Sequence, residues 1–464
     1  MLWLSKAQHP YQEGILKVKR RRAAVSMRVT ADGEGVATHA GSLLLAEMAD
    51  GSGLTDGLSA AMAHTRSRRS GHDPGRVLAH LAVMLADGGD CVADLAALRH
   101  QPELFGSVAS SPTAWRVVQS MGLPAFAGME RARAEARRRA WEAGAAPTEI
   151  VLDFDASLVG THSEKQEAAP TYKGGFGFNP LLCYLDETGE ALAGMLRPGN
   201  AGANDAPDHL EVLDAALAQL PVRPLGDDPV DGVAMLARSD SAGASHAFVD
   251  ALRTRGITFS VGFHLTAAVR DAVLAMGEDA WVPAIHQHGE ERDGAGVCEL
   301  VGLDLSRWPA GTRAIARRER PHPGAQLSFS DDDGHRFQVF ITDQDDDDLA
   351  DLEARHRAHA RVEDRIRAAK DTGLVGLPFS AYVANEAWMQ LILIAQDLLA
   401  WSQRLCFSGE LARAEPKTFR YRVLHTAARI TRSARRTTLR ISKAWPWSIE
   451  LSLAFRRLRV ALPS

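Results

Sequence analysis

Two aspartate positions follow apolar runs, where their side chains could bind a divalent cation. Asp153 and Asp155 lie two residues apart in DFDAS, so they share one face of a strand. Asp240 ends the apolar run GVAMLARSD. A carboxylate at the carboxyl edge of a buried strand is costly without a partner or a metal, and Mg²⁺ prefers carboxylate oxygens that converge from neighbouring strands. The alternative for each aspartate is a turn or helix cap, which Asp240 before Ser241 would suit.

A third acidic candidate lies in a charged helical run, HRAHARVEDRIRAAKDTGL. Glu363 and Lys370 are seven residues apart, which is two helical turns along one face. Such a face could offer a carboxylate to a metal and an ammonium to a phosphate. Helices of this composition are usually solvated and rich in ion pairs, so spacing alone favours a surface role for Glu363.

The elements that would position these residues predict an α/β core. Three strand-like runs precede a helix, a strand ending at Asp240, a second helix and a further strand. This alternation favours parallel pairing through helical crossovers. The predicted organisation is a helical N-terminal region (1–146), the first part of the core (147–263), a β-rich insertion (264–345), the catalytic-helix part of the core (346–405) and a basic helical C-terminal region (406–464).

Composition narrows the class of protein. The 464 residues are 45% hydrophobic and 24% charged, and no apolar run reaches the ~18 residues that a membrane span needs. The four cysteines lie far apart, without a CxxC pair, so we expect reduced thiols rather than a disulfide framework or a zinc site. The start lacks the order of a signal peptide, which favours a cytoplasmic protein without a membrane partner.

The net charge of −5 hides a strong asymmetry. Residues 403–464 carry 14 Lys/Arg against three Glu, and smaller basic clusters occur at Lys17–Arg22 and Arg131–Arg139. Acidic residues concentrate elsewhere, above all at Asp343–Asp348. Because affinity for a polyanion follows local charge, this segregation suits a DNA-binding face, although any one cluster could be a solvated helix face.

The order of these acidic residues resembles that of the DDE transposases, which have a ribonuclease-H-like catalytic core. More specifically, the chain is similar to the bacterial insertion-sequence family thirteen-eighty. The matching stretches cover most of residues 149–390 and are VLDFDASLVGTHSEKQEAAPTYKGGFGFNPLLCYLD, LRPGNAGAND, ARSDSAGASHAF, WPAGTRAIARRERPHPGAQL and ARVEDRIRAAKDTGL. The resemblance implies a ribonuclease-H-like core interrupted by a β-rich insertion domain.

The resemblance also implies site residues. Asp155, Asp240 and Glu363 would hold two Mg²⁺ ions, for which Mn²⁺ can substitute. The usual D-x-S/T triplet favours Asp155, with Ser157, and leaves Asp153 as the alternative first ligand. Lys370 fits the lysine of the Tyr-x2-Arg-x3-Glu-x6-Lys pattern of related transposases and completes the catalytic set.

Two positions depart from that pattern. His356 and His359 stand where relatives have Tyr and Arg, so their phosphate-contacting role could pass to Arg355, Arg357 or Arg361. In relatives the insertion handles the DNA end during hairpin formation, often with a tryptophan stacked on a flipped base. Trp281 and Trp308 are the candidates here, although either could be a core residue. The predicted DNA-contacting residues are Lys165, Lys173, Trp308, Arg317, Arg318, Arg355, Arg361 and Arg367.

The resemblance therefore implies a transposase that binds terminal inverted repeats, cleaves the transposon ends and joins them to target DNA. The reaction would be two-metal-ion phosphoryl transfer, in a synaptic complex of two subunits. The alternatives are a metal-dependent nuclease or resolvase of the same fold, an inactive transposase-derived DNA-binding protein, and a metal-free hydrolase with a carboxylate pair. The insertion and the helical N-terminal region favour transposition over the nuclease, and the intact acidic residues argue against an inactive protein.

Overall fold

The computed structural model describes residues 30–66, 71–226, 232–321, 331–332 and 334–463. The basic cluster Lys17–Arg22 lies outside the described residues. The chain folds as an α/β protein in which helices pack against a ten-stranded mixed sheet. All four cysteines are free thiols. None of the described helices is both long and apolar enough to cross a lipid bilayer.

Helices fill most of the described residues between 36 and 145, as their apolar spacing predicts. After the short strand β1 (Val36–Ala37) they are α1 (Leu43–Gly51), α2 (Leu54–Ala61), α3 (Pro74–Asp87), α4 (Ala96–Arg99), α5 (Pro102–Phe105), α6 (Ser111–Gln119) and α7 (Leu123–Ala140). Local residues set the ends of α3. The Asp73 side chain accepts a hydrogen bond from the Arg76 backbone N–H, and Gly88 ends the helix with a φ of 109°.

The segment between residues 150 and 263 carries Asp153, Asp155 and Asp240, and five of its strands belong to the large sheet. Its elements are β2 (Ile150–Ala156), β3 (Val159–Thr161), β4 (Ala169–Pro170), β5 (Phe176–Phe178), β6 (Leu181–Leu185), β7 (Ala191–Met195), α8 (Ala206–Gln219), β8 (Arg223–Pro224), β9 (Gly232–Val233), β10 (Met235–Ser239), α9 (His246–Thr254) and β11 (Thr258–Phe263). The strand order is β7-β6-β2-β10-β11. β2, β10 and β11 are parallel, whereas β6 and β7 are antiparallel to their neighbours.

The following residues are β-rich, as the sequence predicts. They form α10 (Ala267–Leu274), β12 (Val282–Ile285), β13 (Glu291–Glu299), β14 (Arg313–Glu319), β15 (Asp331–Asp332) and β16 (His335–Thr342). β16 pairs antiparallel with β11, so these strands extend the core sheet instead of forming a sheet of their own. A small second core lies among them, and it contains Ala284, Val297, Ile315, Phe340 and Leu352.

The helix predicted over residues 349–370 is interrupted. It consists of α11 (Leu349–Arg357), a 3₁₀ turn (Ala358–Ala360) and α12 (Arg361–Ala369), and a π-helical turn (Lys370–Leu374) follows. The next helix, α13 (Tyr382–Cys406), is buried along most of its length and packs against both α3 and β7. It therefore joins the N-terminal helices to the sheet.

The prediction of a wholly helical C-terminal region is wrong for residues 428–441. After α14 (Pro416–Phe419), a β-hairpin forms from β17 (Ala428–Ser433) and β18 (Arg436–Ile441), and α15 (Ser448–Ala461) follows. Arginine spacing fits a helix here, but Ile430 and Leu439 face each other and pack against the core, and Ala434 makes the turn with a φ of 51°. β17 also pairs with β1, a partner that local sequence does not reveal.

Candidate active site

Asp155 and Asp240 lie side by side at the carboxyl ends of two neighbouring strands. β2 and β10 are parallel, and their registered pairs run from Ile150 opposite Met235 to Phe154 opposite Ser239. Asp155 and Asp240 are the next residues in that register. Because adjacent strands are about 4.8 Å apart and residues at one level share a face, the two carboxylates are neighbours.

Asp155 is half-buried, and the charges of the other two acidic residues contribute to the shift of its pKa. The pKa of Asp155 is raised to about 6, and burial is the largest cause. The charges of Asp240 and Glu363 contribute to this rise, whereas the charge of His359 lowers the pKa. The Oδ1 atom of Asp155 accepts a hydrogen bond from the Ala156 backbone N–H at 2.7 Å. The Asp240 and Glu363 carboxylates are therefore close enough for their charges to act on Asp155.

Asp240 combines a capping role with an exposed carboxylate. Its Oδ1 accepts a hydrogen bond from the Ala242 backbone N–H at 2.9 Å, so it caps the 3₁₀ turn Ser241–Gly243 as well as ending the strand. Gly262 on β11 lies against this turn, and a Cβ there would come within 2.8 Å of the Ser241 nitrogen. A glycine is thus required for the turn to hold Asp240 at the sheet edge.

Glu363 reaches this edge from the helix side, whereas Lys370 lies two turns further along the chain. Glu363 is exposed in the first turn of α12, a helix that packs against β2. Lys370 is half-buried where α12 passes into the π-helical turn. Within the described parts of the chain, neither these two residues nor Asp155 and Asp240 form an ion pair.

Both carboxylate oxygens of Asp153, the alternative first ligand, already accept hydrogen bonds from the protein. Asp153 is 1% exposed, and its two oxygens accept hydrogen bonds from Nε and Nη2 of Arg238, both at 2.8 Å. Its Oδ1 also contacts Nδ1 of His359 at 3.0 Å. This bidentate pair leaves Asp153 little capacity to bind a cation.

Arg238 also ties the segment that contains α11 and α12 to the sheet, a role that the sequence interpretation missed. Its Nη1 donates to the backbone carbonyl of Arg355 at 2.6 Å, and its Nη2 lies 2.8 Å from Asp186. Asp186 in turn forms an ion pair with Arg361 and accepts a hydrogen bond from Arg365 through its backbone oxygen. The available signal was the matching spacing of DFD and RSD, which places a buried arginine beside a buried aspartate.

His356 and His359, at the two positions that differ from the pattern of related transposases, both contact other protein side chains. Nδ1 of His356 lies 2.9 Å from the Ser260 hydroxyl, and its ring stacks on Phe340 with centroids 4.2 Å apart. Burial, together with the charges of His359 and Arg238, lowers the pKa of His356 to about 3. His356 is thus a neutral ring packed inside the protein at the position where relatives have Tyr, and His359, at the Arg position, contacts Asp153.

The two tryptophans of the extension differ in their surroundings. Trp308 is half-buried and packs against His246 and Phe263, with ring centroids 4.2 and 5.6 Å away. Trp281 carries the Arg318 guanidinium over its ring at 4.5 Å. Both tryptophans are thus partly buried against the main core, and Trp281 in addition contacts an arginine that is paired with Glu278.

The predicted DNA-contacting cations are not equally available. Arg317 is mostly buried and pairs with Glu353 at 3.1 Å, and Lys165 donates to the Leu377 carbonyl. The others are exposed, apart from Arg318, but all except Lys173 have polar or acidic partners: Arg318 pairs with Glu278, Arg355 with Gln344, Arg361 with Asp186, and Arg367 with Asp364 and Glu415. Lys173 lies 5.6 Å from the Tyr172 ring. Most of the predicted DNA-contacting cations are thus already paired with other groups of the protein.

The donor set at the sheet edge fits divalent cations. It offers carboxylate oxygens that lack a protein cation, and their repulsion is the kind that a bound metal relieves. The three acidic residues are more widely spaced than two other groups, whose ligand atoms all lie within 4.8 Å of one another. Those groups are His39/Asp87/His425 and Asp90/Cys91/Asp94.

Comparisons with known proteins place this geometry in context. A family model described as "Transposase DDE domain group 1" matches residues 19–462. The chain is also similar to a solved structure described as "Cryo-EM structure of piggyBac transposase synaptic complex with hairpin DNA (SNHP)", with a TM-score of 0.44 and 10% sequence identity. That similarity covers 92% of this chain and 81% of the other. None of the curated proteins matches the chain.

Proposed function

The chain belongs to the transposase DDE domain group 1 family, and from this premise we propose that it cleaves the ends of an insertion sequence and joins them to target DNA. It would bind the terminal inverted repeats in a synaptic complex of two subunits, in the bacterial cytoplasm. We further place it in the insertion-sequence family thirteen-eighty on the motifs between residues 149 and 390.

One observation carries this proposal. Asp155 and Asp240 follow in register at the ends of parallel strands, and Glu363 lies close enough to raise the pKa of Asp155. The strand order supports a ribonuclease-H-like core. If β2, β6, β7, β10 and β11 are numbered 1 to 5 along the chain, their order in the sheet is 3-2-1-4-5, and strands 1 and 4 carry the aspartates. We assign the first position to Asp155 because Arg238 and His359 occupy the oxygens of Asp153.

The residues have distinct roles in this scheme. Asp155, Asp240 and Glu363 would hold two Mg²⁺ ions, or Mn²⁺, which supply an activated hydroxyl and stabilise the departing oxygen of an in-line displacement. Lys370 would contact a phosphate of the DNA end. Lys173, Arg355, Arg361 and Arg367 would position the DNA backbone, because phosphoryl transfer depends mainly on positioning and electrostatics. Arg317, Lys165 and Trp308 are left outside this surface.

The test uses variants that keep the size of each acidic residue. Asp155→Asn, Asp240→Asn and Glu363→Gln should each lower cleavage of terminal-repeat DNA by at least ~10³-fold, since an electrostatic contact made in the transition state is lost. DNA binding in EDTA should stay within a few-fold of the wild type. Cleavage and joining of labelled ends in Mg²⁺ are the measurements.

A neighbouring acidic residue provides the matched control. Asp364 lies next to Glu363 in α12 but is exposed and pairs with Arg367. Asp364→Asn should cut and join DNA normally. Normal cleavage by any of the three site variants would exclude this assignment, and cleavage by the wild type without joining would indicate a nuclease.

A further inference from the structure

The C-terminal hairpin has two unlike faces. Alternate residues of paired strands share a face, so Ile430 and Leu439 lie on the inner side, where they pack with the small apolar cluster that includes Ala37 and Ala40. The outer face is polar. Its cross-strand pairs are Arg429 with Arg440, Thr431 with Thr438, and Ser433 with Arg436.

The charge on the outer face is not neutralised by the protein. Arg429 and Arg440 are exposed and lie directly opposite each other, an arrangement that is unfavourable for like charges. Arg440 donates only to the Thr431 hydroxyl, at 3.0 Å. Across the described residues, no carboxylate pairs with Arg429, Arg436 or Arg440, whereas Arg432 on the inner face pairs with Glu103 at 2.8 Å.

The segments that precede and follow the hairpin contact each other. Tyr421, before the hairpin, packs with Trp445 and Trp447, after it, with ring centroids 5.2 to 6.2 Å apart. The Trp445 indole N–H donates to the Arg422 carbonyl at 2.9 Å, and the Arg422 guanidinium lies over the Trp447 ring at 5.0 Å. The unpaired arginines are thus presented on a preorganised ribbon rather than on a loose tail.

We propose that this hairpin enters the major groove of duplex DNA with its outer face toward the bases and phosphates. The proposal rests on the proposed function, because it names the element through which the transposase grips its DNA. A two-stranded ribbon fits the major groove of B-DNA, which is about 12 Å wide. Arginines supply forked donors for phosphates and guanine edges, and threonine methyl groups can contact thymine.

Charge and shape together select this partner. The opposed arginines would be stabilised by a polyanion between or beside them, which removes the like-charge repulsion. Duplex RNA offers the same phosphates, but its major groove is too deep and narrow for side chains to read. A groove-inserted hairpin therefore distinguishes the two duplexes, whereas a flat electrostatic contact does not.

The experiment measures binding of the full chain to fluorescent terminal-repeat duplex in EDTA, where cleavage cannot occur. Arg429→Gln/Arg440→Gln should weaken binding by at least ~10-fold and lower the slope of log affinity against log salt by about 2. The same variant should melt no lower than the wild type, because it removes an unfavourable pair. Arg432→Gln, on the inner face, is the matched control and should bind DNA within a few-fold of the wild type.

The outcomes separate this inference from the transposase assignment. Unchanged DNA affinity in the double variant, or an equal loss of affinity for duplex RNA of the same sequence, would overturn the hairpin proposal. At saturating DNA and in Mg²⁺, the double variant should still cleave, since its catalytic acidic residues are intact. Wild-type cleavage by Asp240→Asn would instead overturn the transposase assignment and leave the hairpin result standing.

Discussion

β2 and β10 carry two adjacent cross-strand rows of charged side chains. The inner row is a pair of opposite charges, and the outer row is a pair of like charges. In the inner row, Asp153 faces Arg238, and the pair is buried and hydrogen-bonded at 2.8 Å. Two residues further along, the outer row places Asp155 beside Asp240, with no cation between them among the described residues. The protein thus neutralises one row itself and leaves the other to repel.

The difference shows how the fold divides positioning from chemistry. The inner row binds the helix segment that leads to Glu363, through Arg238 to the Arg355 carbonyl and through Asp153 to His359. A buried ion pair adds little net stability compared with apolar residues, but it defines a unique arrangement if all its partners are present. We therefore interpret the inner row as the device that fixes Glu363 relative to the outer row.

The largest expected effect comes from breaking the inner row. Arg238→Met removes the guanidinium and leaves the buried Asp153 carboxylate with His359 alone as a side-chain partner, which should cost about 3–5 kcal/mol of unfolding free energy. Arg255→Met provides the surface control, since Arg255 pairs with the exposed Asp214 and should cost less than about 1 kcal/mol. Urea unfolding at constant pH measures both. Equal losses of unfolding free energy in the two variants would show that the buried pair of the inner row contributes no more than a surface ion pair.

The sequence predicts the outer row better than the inner one. The ends of two strand-like runs predict aspartates at a sheet edge, and the motif resemblance favours Asp155 over Asp153 and adds Glu363. Arg238 was overlooked because periodicity shows which residues share a face of a strand, not which strand lies beside it. The pairing of β10 with β2 joins residues 85 positions apart.

The same limit applies to the other elements. Residues 264–345 are correctly predicted as β-rich, but the antiparallel pairing of β16 with β11 decides that they extend the core sheet. In the hairpin, the spacing of arginines fits a helix, but Ile430, Leu439 and Ile441 alternate with polar residues. That alternation was the local signal for strands, and β1 supplies the tertiary partner.

A medium effect should appear when the outer row loses one charge. The pKa of Asp155 is about 6 in the folded chain against an ordinary 3.8, so its ionised form is disfavoured by folding. Without divalent cations, the contribution of Asp155 to the free energy of unfolding should therefore fall as pH rises from about 4 to above 6, by at most about 3 kcal/mol. Asp155→Asn removes this loss and should be the more stable protein above pH 6.

Thermal unfolding in EDTA across pH 4 to 8 checks this sign. Asp153→Asn is the contrasting variant, because it weakens a favourable pair and should be less stable than the wild type at pH 7. If both asparagine variants shift stability in the same direction, the two rows do not differ as the geometry indicates.

The smallest expected effect distinguishes the exposed Glu363 from the half-buried Asp155. Glu363 is exposed and has no ion-pair partner among the described residues, so Glu363→Gln in EDTA should change unfolding free energy by no more than about 0.5 kcal/mol. Added Mg²⁺ should stabilise the wild type by mass action, and the variant should gain less at the same concentration because it binds the ion more weakly. Melting temperatures across a Mg²⁺ titration measure both quantities. A clear loss of stability in EDTA would mean that Glu363 belongs to the structural clamp, and an unchanged Mg²⁺ response would remove it from the metal site.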